Sequence, residues 1–165
     1  MKNKITIDIY SDTICPWCYI GFNVLEEVKK NFTNINFKIV WRPFQLNPKM
    51  PLEGMERNKY LESKFSSKNE VKKKYNLIYQ TGLKHNIHFQ FNKILLTPNS
   101  FYSHKLLALA YDANKQTEVL ETLFYNYFIE GINIGKLEEL IRIAKQHKIY
   151  SMDTLEYLKS DKDNN

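Results

Sequence analysis

Two cysteines separated by two residues are the side chains best suited to chemistry in this chain. Cys15 and Cys18 are the only cysteines among the 165 residues, and they enclose Pro16 and Trp17. A disulfide framework would need several well-separated cysteine pairs, so this pair does not indicate a stapled fold. The spacing suits a redox-active dithiol, in which one thiolate attacks a disulfide and the second thiol resolves the mixed disulfide.

The residues around the cysteines predict a strand followed by a helix. Residues 4–10 alternate isoleucines with mostly polar residues, which predicts a β-strand with one apolar face. From Pro16 onward the apolar residues follow a helical spacing, and a proline is well tolerated in the first turn of a helix. Residues 34–41 predict a second strand. Together these elements form a βαβ unit, in which the two strands are parallel and the connection is right-handed in nearly all cases.

The start of a helix gives the two cysteines different roles. Unpaired N–H groups and the helix dipole would stabilise a thiolate on Cys15 and lower its pKa. Cys18 lies about one turn further along, and we expect it to be more buried and to have the higher pKa. We therefore expect Cys15 to attack and Cys18 to resolve. Pro16 should fix the first turn, and Trp17, which cannot carry the positive charge of a histidine, should leave the thiolate less stabilised.

Two other interpretations of the cysteine pair stay open. The pair could be half of a zinc site completed by His85 and His88, although the distance in sequence from Cys18 to His85 is far longer than in zinc motifs. The cysteines could also be inert and buried. Their position between a strand and a helix argues against both, and we predict neither a metal ion nor an organic cofactor.

Charge and hydropathy narrow the class of protein. The net charge is +6, from 24 basic and 18 acidic residues, but the lysines are scattered over predicted helix faces and no nucleic-acid-binding motif accompanies them. We therefore predict no nucleic-acid partner. No apolar run approaches the roughly 18 residues that span a bilayer, and no secretory signal pattern begins the chain, so we expect a cytoplasmic protein without a membrane partner.

Beyond the second strand the pattern is mostly helical. Residues 42–54 contain three prolines and end in a glycine, which predicts a loop. Four later segments carry helical periodicity, with breaks expected at Gly82, Pro98, Gly131 and Gly135: residues 56–86, 100–113, 116–130 and 136–158.

Several segments resemble a known family. Residues 11–21, Ser-Asp-Thr-Ile-Cys-Pro-Trp-Cys-Tyr-Ile-Gly, resemble the active-site segment of the DsbA-like thioredoxin family, specifically its cytoplasmic FrnE-like branch. The resemblance continues through residues 41–54, 98–104 and 123–135. Together the similar segments extend over most of residues 5–150.

The resemblance implies an α/β fold. Residues 1–54 would form a thioredoxin-like βαβ part with the active site, residues 55–158 a large α-helical domain inserted after the second strand, and residues 159–165 a polar tail. In the family the thioredoxin domain resumes after the insert with a cis-proline segment, a β-hairpin and a final helix. None of these follows Pro98 here, so we interpret the chain as C-terminally truncated relative to the family.

Four further residues are candidates for a substrate cleft. We expect the segment containing Arg42 and Pro43 to be an ordered loop beneath the site, with Arg42 near the thiolate. Asn99 or Ser100 should cap the helix that carries His104. The histidine either lines the cleft opposite the cysteines or is a structural histidine with satisfied hydrogen bonds. The cleft candidates are Arg42, Pro43, Asn99 and His104.

These observations predict a thiol–disulfide oxidoreductase that acts on protein or small-molecule thiols and disulfides. One alternative is a glutathione-dependent enzyme of the 2-hydroxychromene-2-carboxylate isomerase or kappa type, but such sites typically use a serine where this chain has a cysteine pair. The other is a truncated, non-catalytic binding or remnant protein. Without the family's hairpin, strand 4–10 would have an unpaired edge, which makes a homo-oligomer a further expectation.

Overall fold

A short parallel sheet carries the cysteine-containing segment. The structure is a computed structural model that describes residues 3–160, so most of the polar tail expected at residues 159–165 lies outside the described residues. Strand β1 (Asn3–Ser11) pairs in parallel with β2 (Ile35–Pro43), in a register that joins Ile5 to Phe37 and Ser11 to Pro43. The predicted parallel βαβ arrangement is confirmed.

Helix α1 (Pro16–Lys29) connects the two strands. It begins at Pro16 because the proline ring already has a helical φ and its missing N–H is not needed in the first turn. In the last turn Lys29 Nζ lies 2.7 Å from Glu26 Oε1, and its positive charge is favourable at this end of the helix.

The rest of the chain is mainly helical, as expected for the helix-rich part. A second, two-stranded antiparallel sheet is formed by Met55–Glu56 and Leu96–Thr97. The later elements are β3 (Met55–Glu56), α2 (Arg57–Lys64), α3 (Lys68–Leu83), β4 (Leu96–Thr97), α4 (Phe101–Asp112), α5 (Gln116–Phe128), α6 (Leu137–Gln146) and α7 (Thr154–Lys159). No helix within residues 3–160 is long and apolar enough to cross a membrane.

One aromatic cluster joins the cysteine-bearing helix to the helical region. The ring of Tyr19 stacks on Phe124 at a centroid distance of 5.0 Å and on Phe128 at 5.9 Å. Phe22 packs against Trp41 at 5.5 Å. Each buried side chain of this size contributes about 1.5–3 kcal/mol through removal of apolar surface from water. The core therefore continues from the βαβ part into the helices and holds α1 against α5.

A buried glutamine fixes β2 against the same helices. Gln116 is only 8% exposed, and its Oε1 accepts the backbone N–H of Trp41 at 2.8 Å. Its Nε2 donates to the carbonyl of Trp41 at 2.9 Å and to the carbonyl of Leu107 at 3.2 Å. The side-chain amide thus pairs with β2 as the backbone of a neighbouring strand would.

The structure corrects the predicted loop at residues 42–54. Strand β2 continues to Pro43, because Tyr10 pairs with Arg42 and the Ser11 carbonyl accepts the N–H of Phe44 at 3.1 Å. Arg42 and Pro43 are therefore strand residues. The sequence pattern could not show this because Pro43 has no N–H and interrupts the apolar alternation.

Two of the predicted helical segments are each two helices. Within residues 56–86 the chain breaks where Ser67 caps α3, its hydroxyl accepting the N–H of Glu70 at 3.1 Å. Residues 136–158 likewise form α6 and α7. The break expected at Gly82 is confirmed to within one residue, because α3 ends at Leu83. A Cβ atom on Gly82 would come within 2.5 Å of the Phe89 ring.

Candidate functional site

Cys15 is the N-cap residue of α1. Its backbone is extended, with φ −94° and ψ 114°, and its N–H donates to the carbonyl of Asp12 at 3.1 Å. No side chain caps the helix at this position, so the first N–H groups of α1 point toward the Cys15 sulfur. Both Cys15 and Cys18 are free thiols in this structure. The predicted placement of the pair at a strand-to-helix junction is confirmed.

The relative burial of the two cysteines is the reverse of the prediction. Cys15 is 9% exposed, whereas Cys18 is partly exposed. Cys15 directly follows a segment of four buried residues, 11–14, while Cys18 lies a turn further along the helix, beside Trp17, which is 47% exposed. The expectation that Cys18 is the more enclosed thiol is therefore wrong.

The two thiols titrate as a pair that shares one proton. The pKa of Cys18 is lowered to about 6, chiefly because the Cys15 thiol donates a hydrogen bond to its sulfur, with the Ser11 hydroxyl and the Asp12 backbone N–H acting in the same direction. The pKa of Cys15 is raised, first by that same hydrogen bond and then by burial. The backbone N–H groups of Cys18 and Trp17 act to lower it. The pair thus loses its first proton near neutral pH, and Cys18 has the lower pKa, which is the reverse of the predicted order.

Asp12 is a fully buried carboxylate beside this pair. Its Oδ2 accepts the N–H of Leu46 at 2.7 Å and its Oδ1 accepts the N–H of Ile14 at 3.3 Å. Its negative charge opposes ionisation of Cys18. Asp12 is not among the site residues predicted from the sequence. Its position three residues before the first cysteine was the available signal, but its partner Leu46 lies 34 residues away.

His104 meets this carboxylate from α4. Its Nε2 lies 3.5 Å from Asp12 Oδ1, and the side chain is 7% exposed. Neither ring nitrogen makes a well-formed hydrogen bond to the residues that the structure describes. His104 therefore lies in the interior, beside the Asp12 turn.

Asn99 is also interior. Its Oδ1 accepts the N–H of Phe101 at 2.8 Å and the Gln45 amide at 3.1 Å, and its Nδ2 donates to the Met50 carbonyl at 2.6 Å. The predicted capping of α4 is thus made by Asn99, while the Ser100 side chain makes no capping hydrogen bond. Asn99 ties the 44–50 segment to the start of α4.

Arg42 and Pro43 lie on the exposed part of β2. The Arg42 Nε lies 2.6 Å from Asp8 Oδ1, and both side chains are nearly half exposed. The Arg42 guanidinium is thus paired with a carboxylate on the neighbouring strand β1. The expected contact between Arg42 and a cysteine thiolate is not seen. Pro43 is exposed and pairs in register with Ser11, the residue whose hydroxyl acts on Cys18.

One of the two histidines considered as zinc ligands, His85, has another partner. Its Nδ1 lies 3.2 Å from Glu27 Oε2, and this contact joins the end of α3 to α1. Within residues 3–160 no group of three or more histidine, cysteine, aspartate or glutamate side chains is arranged to hold a metal ion.

Comparison with known proteins places the chain in a family. The sequence profile of the DSBA-like thioredoxin domain matches residues 6–165. The uncharacterized protein YwbO of Bacillus subtilis is 24% identical over 147 residues, which cover 86% of this chain and 66% of that protein. The chain thus spans just under two thirds of the length of this relative.

Two solved structures have the same fold. A probable DsbA oxidoreductase from Streptomyces coelicolor superposes with a TM-score of 0.84 at 19% identity, covering 95% of this chain and 68% of that one. A 2-hydroxychromene-2-carboxylate isomerase superposes with a TM-score of 0.63 at 16% identity, covering 95% and 72%. On the match over residues 6–165, the chain belongs to the DSBA-like thioredoxin domain family.

Proposed function

We propose that this chain catalyses thiol–disulfide exchange through Cys15 and Cys18. The observation that carries the proposal is the coupled pair of free thiols at the start of α1, with one pKa lowered to about 6. A thiolate that is abundant near neutral pH is the reactive species in such exchange. The proposed substrates are protein or small-molecule thiols and disulfides, in the cytoplasm, without a cofactor. The similarity of residues 41–54 supports a place in the FrnE-like branch.

The proposed reaction has two balanced steps. A Cys15 thiolate attacks one sulfur of a substrate disulfide, so that a Cys15–substrate disulfide forms and the second substrate sulfur leaves as a thiolate. Cys18 then gives up its proton and attacks the Cys15 sulfur, which releases the remaining substrate thiolate. The protein dithiol is oxidised to the Cys15–Cys18 disulfide and the substrate disulfide is reduced to one thiol, which takes the Cys18 proton, and one thiolate, which takes a proton from water according to its own pKa. The reverse sequence oxidises a substrate dithiol.

The assignment of the attacking role to Cys15 rests on which hydrogen-bond donors persist during the reaction. The donors that favour a Cys15 thiolate are backbone N–H groups of α1, which cannot be lost. The main cause of the lowered pKa of Cys18 is the hydrogen bond from the Cys15 S–H. This donor is lost once Cys15 is ionised or bound in a mixed disulfide. We therefore propose that Cys15 attacks, and that Trp17 and Pro16 adjust the reactivity of the pair.

A glutathione-dependent isomerase is the second candidate. The fold-level likeness to a 2-hydroxychromene-2-carboxylate isomerase favours it. An isomerase of this kind would need a bound thiolate but no second thiol. Replacement of Cys18 alone therefore separates the two candidates, because it abolishes disulfide turnover and leaves an isomerase active.

The test is reduction of a protein disulfide by the purified chain. With insulin as the substrate and dithiothreitol as the electron source, we expect the wild type to accelerate precipitation of the insulin B chain. Cys15→Ser, Cys18→Ser and the double variant should not exceed the rate of dithiothreitol alone. Arg142→Gln, which changes neither thiol and lies on α6, is the matched control. A wild-type rate equal to that of the double variant, with both proteins folded, would overturn the proposal.

A further inference from the structure

The three arginines of the chain differ in their charged partners. Arg42 lies 2.6 Å from Asp8, and Arg142 lies 2.9 Å from Glu139. Arg57, which is half-buried at the start of α2, has no carboxylate within 4.0 Å among residues 3–160. A guanidinium that is partly removed from water without a counter-ion carries a desolvation penalty, and an anion would offset it.

The immediate neighbours of Arg57 are neutral hydroxyls and aromatic rings. Its Nη1 donates to Thr97 Oγ1 at 2.9 Å, and its Nη2 donates to the Tyr75 hydroxyl. The guanidinium carbon lies 5.6 Å from the ring centre of Tyr60 and 5.3 Å from that of Tyr75. An arginine side chain has five N–H donors. Two are used here, so three remain for a ligand.

A second, independent observation points to the same place. Tyr127 is 1% exposed, and its hydroxyl makes no well-formed hydrogen bond to the described residues. Burial raises the pKa of Tyr127, while the charge of Arg57 and the Thr97 hydroxyl act to lower it. Since Thr97 Oγ1 itself accepts the Arg57 Nη1–H at 2.9 Å, the Tyr127 hydroxyl shares a neighbour with the guanidinium. An unsatisfied buried hydroxyl beside an uncompensated guanidinium lacks an acceptor, and an anionic oxygen would accept from both.

A chain of contacts connects the Arg57 side chain to the turn that precedes Cys15. The hydroxyl of Tyr60, whose ring packs on the guanidinium, accepts a hydrogen bond from the Asn47 amide at 3.2 Å. The neighbouring Leu46 donates its N–H to Asp12 Oδ2 at 2.7 Å, and the Asp12 carbonyl accepts the N–H of Cys15 at 3.1 Å. A ligand whose anion is held by Arg57 therefore lies on the same segment that contacts the turn before Cys15. Thiols derived from cysteine carry carboxylates, so a carboxylate is the anion that a thiol or disulfide substrate most readily supplies.

We propose that Arg57, Tyr75 and Tyr127 bind the carboxylate of a small disulfide substrate whose sulfur reacts with Cys15. This inference rests on the proposed thiol–disulfide exchange and names the class of substrate for the same site. The guanidinium donates hydrogen bonds to the carboxylate in its planar fork geometry, and the Tyr127 hydroxyl donates a further one. Tyr60 and Tyr75 flank the guanidinium and hold its plane.

The kinetic test compares disulfides that differ in charge. The probes are dithiodipropionate, which is anionic, hydroxyethyl disulfide, which is neutral, and cystamine, which is cationic. For the reduced chain, Arg57→Gln should lower kcat/KM for dithiodipropionate by about tenfold, the usual scale of a charge-assisted contact. The rate with hydroxyethyl disulfide should stay within about twofold, and cystamine should not lose rate. Arg142→Gln, a paired and remote arginine, is the control.

Two further variants separate binding from folding. Arg57→Lys keeps the charge and should recover part of the dithiodipropionate rate, whereas Tyr127→Phe removes one hydroxyl without changing shape and should weaken the same substrate selectively. Calorimetry with thiodipropionate, a thioether that cannot undergo exchange, should show binding to the wild type and its loss in Arg57→Gln.

The outcomes distinguish this inference from the proposed function. If no disulfide reacts while thiodipropionate still binds through Arg57, the proposed exchange fails and the carboxylate site stands. If hydroxyethyl disulfide reacts and Arg57→Gln slows all three probes equally, or changes none, the carboxylate site is overturned.

Discussion

Thr13 Oγ1 lies 2.7 Å from Ser103 Oγ, and this buried hydrogen bond joins the turn before the cysteines to α4 across 90 positions of the sequence. Ser103 also lies 2.7 Å from the carbonyl of Ser100, to which it donates its only hydroxyl hydrogen. Thr13 must therefore be the donor to Ser103. Because of this direction, Thr13 depends on Ser103 as its acceptor, whereas the Ser103 hydroxyl hydrogen is already bonded to Ser100.

Removal of either hydroxyl should destabilise the fold by different amounts. Ser103→Ala leaves the buried Thr13 hydroxyl without an acceptor, which costs about 1–3 kcal/mol. Thr13→Val removes the donor and leaves Ser103 satisfied by Ser100, so the loss should be about 1 kcal/mol. Urea unfolding of the two single variants and the double variant measures both losses and their coupling. A larger loss for Thr13→Val would contradict the inferred direction.

The lowered pKa of Cys18 should depend on the donor at position 15. Because the Cys15 thiol is the main cause of the pKa of about 6, Cys15→Ala should raise the pKa of Cys18 toward that of an ordinary thiol. Cys15→Ser keeps a hydroxyl donor and should raise it less. Thiolate absorbance against pH in both variants provides the measurement. Equal titration curves would show that the hydrogen bond between the side chains at 15 and 18 is not the cause.

The stability of the reduced protein should rise with pH between about 6 and 9 relative to the oxidised protein. In this window Cys18 of the folded chain has lost its proton, whereas the same thiol in the unfolded chain, with a pKa near 9.0, still holds it. The unfolded state binds more protons, so the free energy of unfolding increases with pH. Above pH 9 the raised pKa of Cys15 reverses the trend. Thermal unfolding of both redox forms across this range tests the sign.

The proposed roles of the cysteines predict different products in trapping experiments. Cys18→Ser should accumulate mixed disulfides with protein thiols, because attack at Cys15 proceeds and the resolving step is lost. Cys15→Ser should accumulate few. Non-reducing gels after incubation with a cell extract would show the adducts, and the double variant controls for nonspecific oxidation. Because Cys18 is the more exposed thiol and has the lower pKa, trapping chiefly by Cys15→Ser would reverse the assignment.

The local elements around the cysteines follow from the sequence, whereas the contacts between segments do not. The isoleucine alternation of β1 and the proline at the start of α1 act over a few residues, and both were predicted. The burial of Asp12 and Thr13 depends on Leu46 and Ser103, which are remote in sequence. For this reason local sequence patterns do not predict the burial of this segment. The contacts of Arg57 with Tyr75 and Thr97 likewise join residues that are remote in sequence, so local patterns do not predict them.

The relative burial of the cysteines was mispredicted for a related reason. The expectation that Cys18 is more buried than Cys15 assumes that a residue further along α1 lies deeper in the protein. The turn of residues 11–14 packs into the interior and takes Cys15 with it. Helical periodicity gives the direction of a side chain around the helix axis, but depth at a helix end depends on the segment that precedes it.

The free edge of β1 should promote self-association. Within residues 3–160 the strand that pairs with β1 is β2, on one side, and Ile5 is 41% exposed. Unpaired backbone groups along an apolar strand favour pairing with another chain, and a two-stranded sheet offers little protection. We therefore expect light scattering to show a mass that rises with concentration. Ile5→Lys should reduce the association, whereas Leu77→Lys, at an apolar position of α3 that is 58% exposed, should not. A monodisperse monomer with a concentration-independent unfolding transition would show that the helices cover β1 well enough.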